Sequence, residues 1–141
     1  MNRTAIMAAA AIALIGLAGC QTNSKDQVLA SSESQVALRA MQSRAFDTSD
    51  KLQTMRAVIA TLQDLGFVVE KADDVLGTVS GTKLDGYQLR MTVTVRPRGE
   101  TQMIVRANAQ YNITPVEDPV PYQQFFAALE KAMFLSAQQV D

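Results

Sequence analysis

The chain has 141 residues, with 13 basic against 14 acidic side chains, one cysteine, no histidine and no tryptophan. A lone cysteine excludes an intramolecular disulfide. Without histidine the commonest general base is missing, as are the usual ligands of zinc, copper and haem, so no metal or cofactor is expected. A net charge of −1 argues against bulk attraction to nucleic acid.

Met1 to Gly19 has the order of a secretory leader. Arg3 is the positive start, Ala5 to Leu17 is an unbroken apolar run, and Ala18 and Gly19 are small. As a helix that run spans roughly 20 Å, short of the ~30 Å hydrocarbon core, so cleavage is expected rather than a permanent span. Leu17-Ala18-Gly19-Cys20 resembles a bacterial lipobox, the four-residue signal for lipoprotein processing. The resemblance implies cleavage between Gly19 and Cys20, a diacylglyceryl group on the Cys20 sulfur, and acylation of the new amino terminus. Two or three chains, at ~0.8 kcal/mol per buried methylene, anchor stably where one does not. Gln21 stands where an aspartate commonly signals inner-membrane retention. By analogy with lipoprotein sorting, the outer membrane is expected, with the domain in the periplasm.

Three regions follow from this: a leader over 1–19, a lipidated cysteine with a flexible tether over 20–35, and one domain over 36–141. The tether is mostly polar, with three serines within Ser31 to Ser34. Fifteen such residues reach roughly 20 Å. The remaining ~105 residues suffice for one modest core.

Within the domain, Val36 to Phe46 reads either as a first strand or as a helix starting near Ser32. Ser49 to Leu65 is the clearest helix. Leu52, Met55, Ile59 and Leu62 recur at helical steps, Thr48 or Ser49 is placed to cap, Asp50 suits the first turn, and Gly66 is a natural C′ residue. After Gly66 the period becomes two. Phe67 to Lys71 reads as a strand, Ala72-Asp73-Asp74 as a turn, and Val75 to Lys83 as a strand whose Gly77 and Gly81 mark bulges or close packing. Asp85-Gly86 signals a hairpin.

The next two strands alternate cleanly. Tyr87, Leu89, Met91, Val93 and Val95 share one face, with Gln88, Arg90, Thr92, Thr94 and Arg96 opposite. Met103, Val105, Ala107, Ala109, Tyr111 and Ile113 form the matching apolar set. A slip of one residue would turn every apolar side chain outward, so paired residue numbers must add to an even number. Pro97 opposite Thr101 satisfies this and sets Val95 against Met103; a five-residue loop is the alternative. Pro115, Pro119 and Pro121 break the chain into a loop. Tyr122, Phe125, Phe126, Leu129, Met133 and Ser136 then repeat at helical spacing.

The expected fold is α+β: one antiparallel sheet of four to five strands with two helices on one face. Thr61 to Lys83 and Asp118 to Leu135 resemble a group of uncharacterised Gram-negative lipoproteins. The first stretch also resembles domains of the BamC lipoprotein family, in which a helix ends in glycine, enters a short strand and is followed by an acidic turn and a glycine-bearing strand. That resemblance implies a helix-grip fold.

No phosphate loop, nucleophile elbow or paired catalytic carboxylates can be argued, so no enzymatic activity is expected. Two binding candidates remain. Arg90, Arg96 and Arg106, with Ile104 among them, lie on the polar sheet face and suit an envelope protein partner. Tyr122, Phe125 and Phe126 are candidate lining for a lipid or apolar ligand between helices and sheet.

Overall fold

The computed structural model describes residues 34–138. Cys20, its cleavage point after Gly19, and the tether up to residue 33 lie outside the described residues. Helix α1 covers 34–41, so the last two residues of the expected tether are helical. Strand β1, Ser43–Phe46, follows at once. The two readings of Val36 to Phe46 thus both occur, in succession. Leu38 and Met41 rest partly buried against the core.

Helix α2, Lys51–Asp64, is capped by Asp50 itself, whose carboxylate accepts the Gln53 N–H at 2.9 Å. Thr48 sits two residues further back and accepts the Asp50 N–H at 3.1 Å. The expected cap was therefore one or two residues early. Its buried face also differs from the expected stripe. Thr54, Met55, Ala57, Val58, Thr61 and Leu62 are buried, whereas Leu52 is 53% exposed and Ile59 half-buried. Small Ala57 and the two threonines face inward. The Thr54 hydroxyl can be buried because it donates to the Asp50 carbonyl at 2.8 Å.

The end of α2 is a Schellman motif. Gly66, at φ +86°, donates to the Gln63 carbonyl, and Phe67 donates to the Leu62 carbonyl, both at 2.9 Å. Strand β2, Val68–Asp73, pairs with β3, Thr78–Asp85. Ala72 and Asp73 belong to the strand, and the turn lies at 74–77, where the Asp73 carboxylate accepts the Leu76 N–H. Both glycines are close-packing positions. Gly77 is at φ +69° against the Val95 carbonyl, and Gly81 faces a register shift between Val69 and Lys71 of β2.

Strands β4, Tyr87–Arg98, and β5, Gln102–Tyr111, keep the even-sum parity. Their pairing differs from the expected one by a two-residue slip. Val95 faces Val105, not Met103, and Arg98 faces Gln102. The loop is Gly99-Glu100-Thr101, with Gly99 at φ +65° in its first position. A glycine can take that left-handed geometry where arginine resists it. A slip of two preserves the faces, which is why alternation alone cannot detect it.

Strand β6, Thr114–Pro115, also lies beside β5. The sheet has six strands in antiparallel order β1-β5-β4-β3-β2, with β6 beside β5 beyond β1. Helix α3, Pro119–Gln138, begins earlier than the prolines suggested. Its first-turn N–H groups need no intrahelical partner, so Pro119 and Pro121 are tolerated there, and Asp118 accepts the Val120 N–H at 2.9 Å.

Val79, Met91, Val93, Val95 and Val105 on one sheet face join Val58 and Leu62 of α2 and Tyr122, Phe125, Phe126 and Leu129 of α3 in a single core. The expected apolar sets run past it. Tyr87, Tyr111 and Ile113 are 70%, 41% and 90% exposed, beyond the cover of the helices. The chain is thus an α+β protein with one antiparallel sheet and three described helices.

Candidate functional site

The opposite face of the sheet carries the arginines. Cross-strand neighbours there are Arg96 with Ile104, Thr94 with Arg106, Thr92 with Asn108, and Arg90 with Gln110. The revised register therefore places Arg96 directly beside Ile104, where Gln102 had been expected. Thr94, Arg96, Ile104, Arg106 and Asn108 line a shallow depression of about 480 Å³.

The three arginines are not equivalent. Arg106 Nε donates to Ser43 Oγ of β1 at 3.2 Å, which steadies its side chain. Arg90 lies further along β4 and pairs with Glu70 of β2 at 3.8 Å, both side chains about half exposed. Such a pair contributes little to stability. Arg96 is exposed and enters none of the ion pairs among the described residues. Arg96, Ile104 and Arg106 thus form one group and Arg90 stands apart. Ile104 is only half-exposed, because β1 sets Ala45 opposite it. Ser43 and Ala45 were missing from the expected site, since nothing local in 36–46 tells which strand β1 will join.

The residues expected to line a cavity lie in the core. Tyr122, Phe125 and Phe126 are at most 2% exposed and line none of the described cavities. Phe125 and Phe126 meet edge-to-face at 5.1 Å, and Arg44 lies over the Phe126 ring at 5.7 Å. They are core. Tyr122 has a second duty: its buried hydroxyl donates to the Val116 carbonyl at 2.7 Å and accepts from Gln42 Nε2 at 3.2 Å and the Ala109 N–H at 3.3 Å. One donor and two acceptor positions are all a tyrosine hydroxyl has, so it is fully used.

A cavity of about 200 Å³ does lie between helices and sheet, nearer the uncovered end. Phe67, Leu89 and Met91 are its buried wall, Leu65, Tyr111 and Val120 its sides, and Lys83 and Asp118 its charged groups. Phe67, Leu89 and Met91 were legible as inward strand residues. What the alternation could not tell is that the end of α2 and the first turns of α3 leave a gap against them.

Among the described residues no helix is long and apolar enough to cross a membrane, and no group of three acidic or sulfur ligands is placed to hold a metal ion. No protein family matches the sequence, and no curated protein matches it.

Proposed function

We propose that the chain is a lipid-anchored, non-enzymatic envelope lipoprotein whose domain, helix-grip-like in arrangement, makes protein–protein contact as an accessory to an envelope complex. The reading rests chiefly on the asymmetry of the sheet. One face is filled by helices, while the other, left open by the described residues, presents Arg96, Ile104 and Arg106 around a shallow depression. Guanidinium groups flanking an aliphatic side chain suit an acidic or polar partner surface, because the planar fork makes several directed hydrogen bonds and the stem is apolar. The anchor is Cys20 in Leu17-Ala18-Gly19-Cys20, and Gln21 favours outer-membrane placement.

Two measurements test the reading. Mass spectrometry of the protein from its own envelope should find acyl mass on an amino-terminal Cys20, and Cys20→Ser should abolish it together with membrane association. Changing Arg90, Arg96 and Arg106 together to Glu should leave folding nearly intact, because exposed charges contribute little. It should strongly reduce partner recovery, because like charges would then oppose each other. Wild-type recovery of every partner by a folded, lipidated triple variant would mean the face is merely solvated.

A further inference from the structure

The inward register of the sheet is not wholly apolar. Along β3 from Val79, and along β4 and β5, the residues that share the core-facing parity are apolar or small, except for Lys83 and, at the end of β3, Asp85. Lys83 pairs in register with Leu89 and stands in the wall of the 200 Å³ cavity. The ion pairs among the described residues belong to Arg44 and Arg90, and Lys83 enters neither of them. Its presence on this side has a partial structural reason. Its stem passes 3.6 Å from the place a Cβ would take on Gly66, at the negative end of α2, whose last turn contains no basic residue. That accounts for tolerance of the charge, and the half-buried ammonium still faces the cavity.

We propose that this cavity binds a small apolar carboxylate, with the apolar group against Phe67, Leu89, Met91 and Tyr111 and the carboxylate on Lys83 Nζ. A half-buried ammonium at the edge of a partly apolar wall gains somewhat more from an anion than it would in bulk water, because the local dielectric is lower. The volume limits the apolar part. Pockets for drug-sized ligands run from about 300 Å³ upward, so this one takes a short alkyl chain or a single branched side chain, not a two-chain lipid. Charge selects a monoanion. Lys83 is the sole cation of the wall, and Asp118 stands on the same wall with one oxygen engaged by the Val120 N–H, so a phosphate dianion would meet one positive and one negative group. Tyr111 of the wall meets Tyr87 edge-to-face at 6.3 Å, which adds aromatic surface beside the cavity. The site is separate from the arginine face and does not depend on the anchor.

Two sources share this chemistry, a short fatty acid and the carboxyl terminus of a polypeptide ending in an apolar residue. The Met91 methyl resonance, on the cavity wall, reports occupancy in the full chain. Hexanoate, hexanamide and hexylammonium form one titration series; N-acetylleucine and its amide form the other. In at least one series the acid should bind about tenfold tighter than the amide, as a charge-assisted hydrogen bond requires. Hexylammonium should bind weakest. Lys83→Met should equalise acid and amide while retaining apolar binding, and Lys83→Arg should keep the preference. A stronger hexanoate series points to a fatty acid, and a stronger N-acetylleucine series to a polypeptide terminus. Equal binding of acid and amide in both series, preference for hexylammonium, or no Met91 shift with any probe would overturn the proposal. A folded-state spectrum of each Lys83 variant separates loss of the site from loss of the fold.

Discussion

The two edges of the sheet are closed in opposite ways. Along β5 the edge is covered by pieces from distant parts of the chain. β1 pairs with Met103 to Arg106, the Gln42 carbonyl accepts the Ala107 N–H at 2.8 Å, the Tyr122 hydroxyl accepts the Ala109 N–H, and β6 pairs with Gln110 and Tyr111. Along β2, among the described residues, no strand is added beyond the edge. There the register shift between Val69 and Lys71 and the exposed charges of Glu70 and Lys71 take the place of a partner. A bulge and charges on an edge strand discourage pairing with another chain. One edge is therefore protected by tertiary contact and the other by local chemistry, and the two should respond differently to mutation.

The largest effect should come from Tyr122. Tyr122→Ala removes a fully buried ring and the hydroxyl that joins Gln42, Ala109 and Val116. It should cost about 3–5 kcal/mol in denaturant unfolding. Tyr122→Phe keeps the ring and strips only the hydroxyl, leaving buried polar groups without their partner, and should cost about 1–3 kcal/mol. Hydrogen exchange sharpens the comparison. The Ala109 amide should lose protection in Tyr122→Phe, whereas amides of β3 paired to β4 should change little. Equal protection of Ala109 in both proteins would mean the hydroxyl does not close the edge.

Gln42→Leu should be milder, about 0.5–1.5 kcal/mol, because the Tyr122 hydroxyl keeps its bonds to Val116 and Ala109. The smallest stability change belongs to the open edge. Glu70→Val with Lys71→Val should shift unfolding by no more than about 0.5 kcal/mol, since both side chains are exposed and the Glu70–Arg90 pair is weak. Its signature should be self-association instead, measured by light scattering across a concentration series. A strictly monomeric double variant would show that the bulge alone protects β2.

The parity argument for β4 and β5 held because one face is buried, and a wrong parity would expose Met91, Val93, Val105 and Ala107 together. The register within that parity was not legible. Val95 can face Met103 or Val105 without moving any side chain to the other face, and the choice fell to Gly99, which takes the loop's left-handed position. The buried face of α2 was only half legible. Met55 and Leu62 are inward as their spacing suggested, yet Thr54 and Thr61 displaced Leu52 and Ile59, because small inward side chains pack where larger ones would not. The aromatic stripe of α3 was legible, but the cavity near Lys83 was not. Aromatic side chains in helical repeat mark a core-facing stripe, and they cannot show where the cover of the core ends.

The sequence by itself determined the local elements: the glycine stop of α2 at Gly66, the alternation of β4 and β5, the aromatic stripe from Tyr122 to Leu129 and the marking of Gly77 and Gly81 as bulges or close-packing positions. Each depends on backbone periods and φ preferences that a few neighbouring residues impose. Only the tertiary structure decided that β1 lies beside β5, that Tyr122 bonds to Gln42 eighty residues away, that Arg96 flanks Ile104, and that Lys83 stands inside a cavity. Those pairings join segments far apart in the chain. Their free energy comes from packing and buried hydrogen bonds summed over the whole core, and no single stretch of sequence contains that sum.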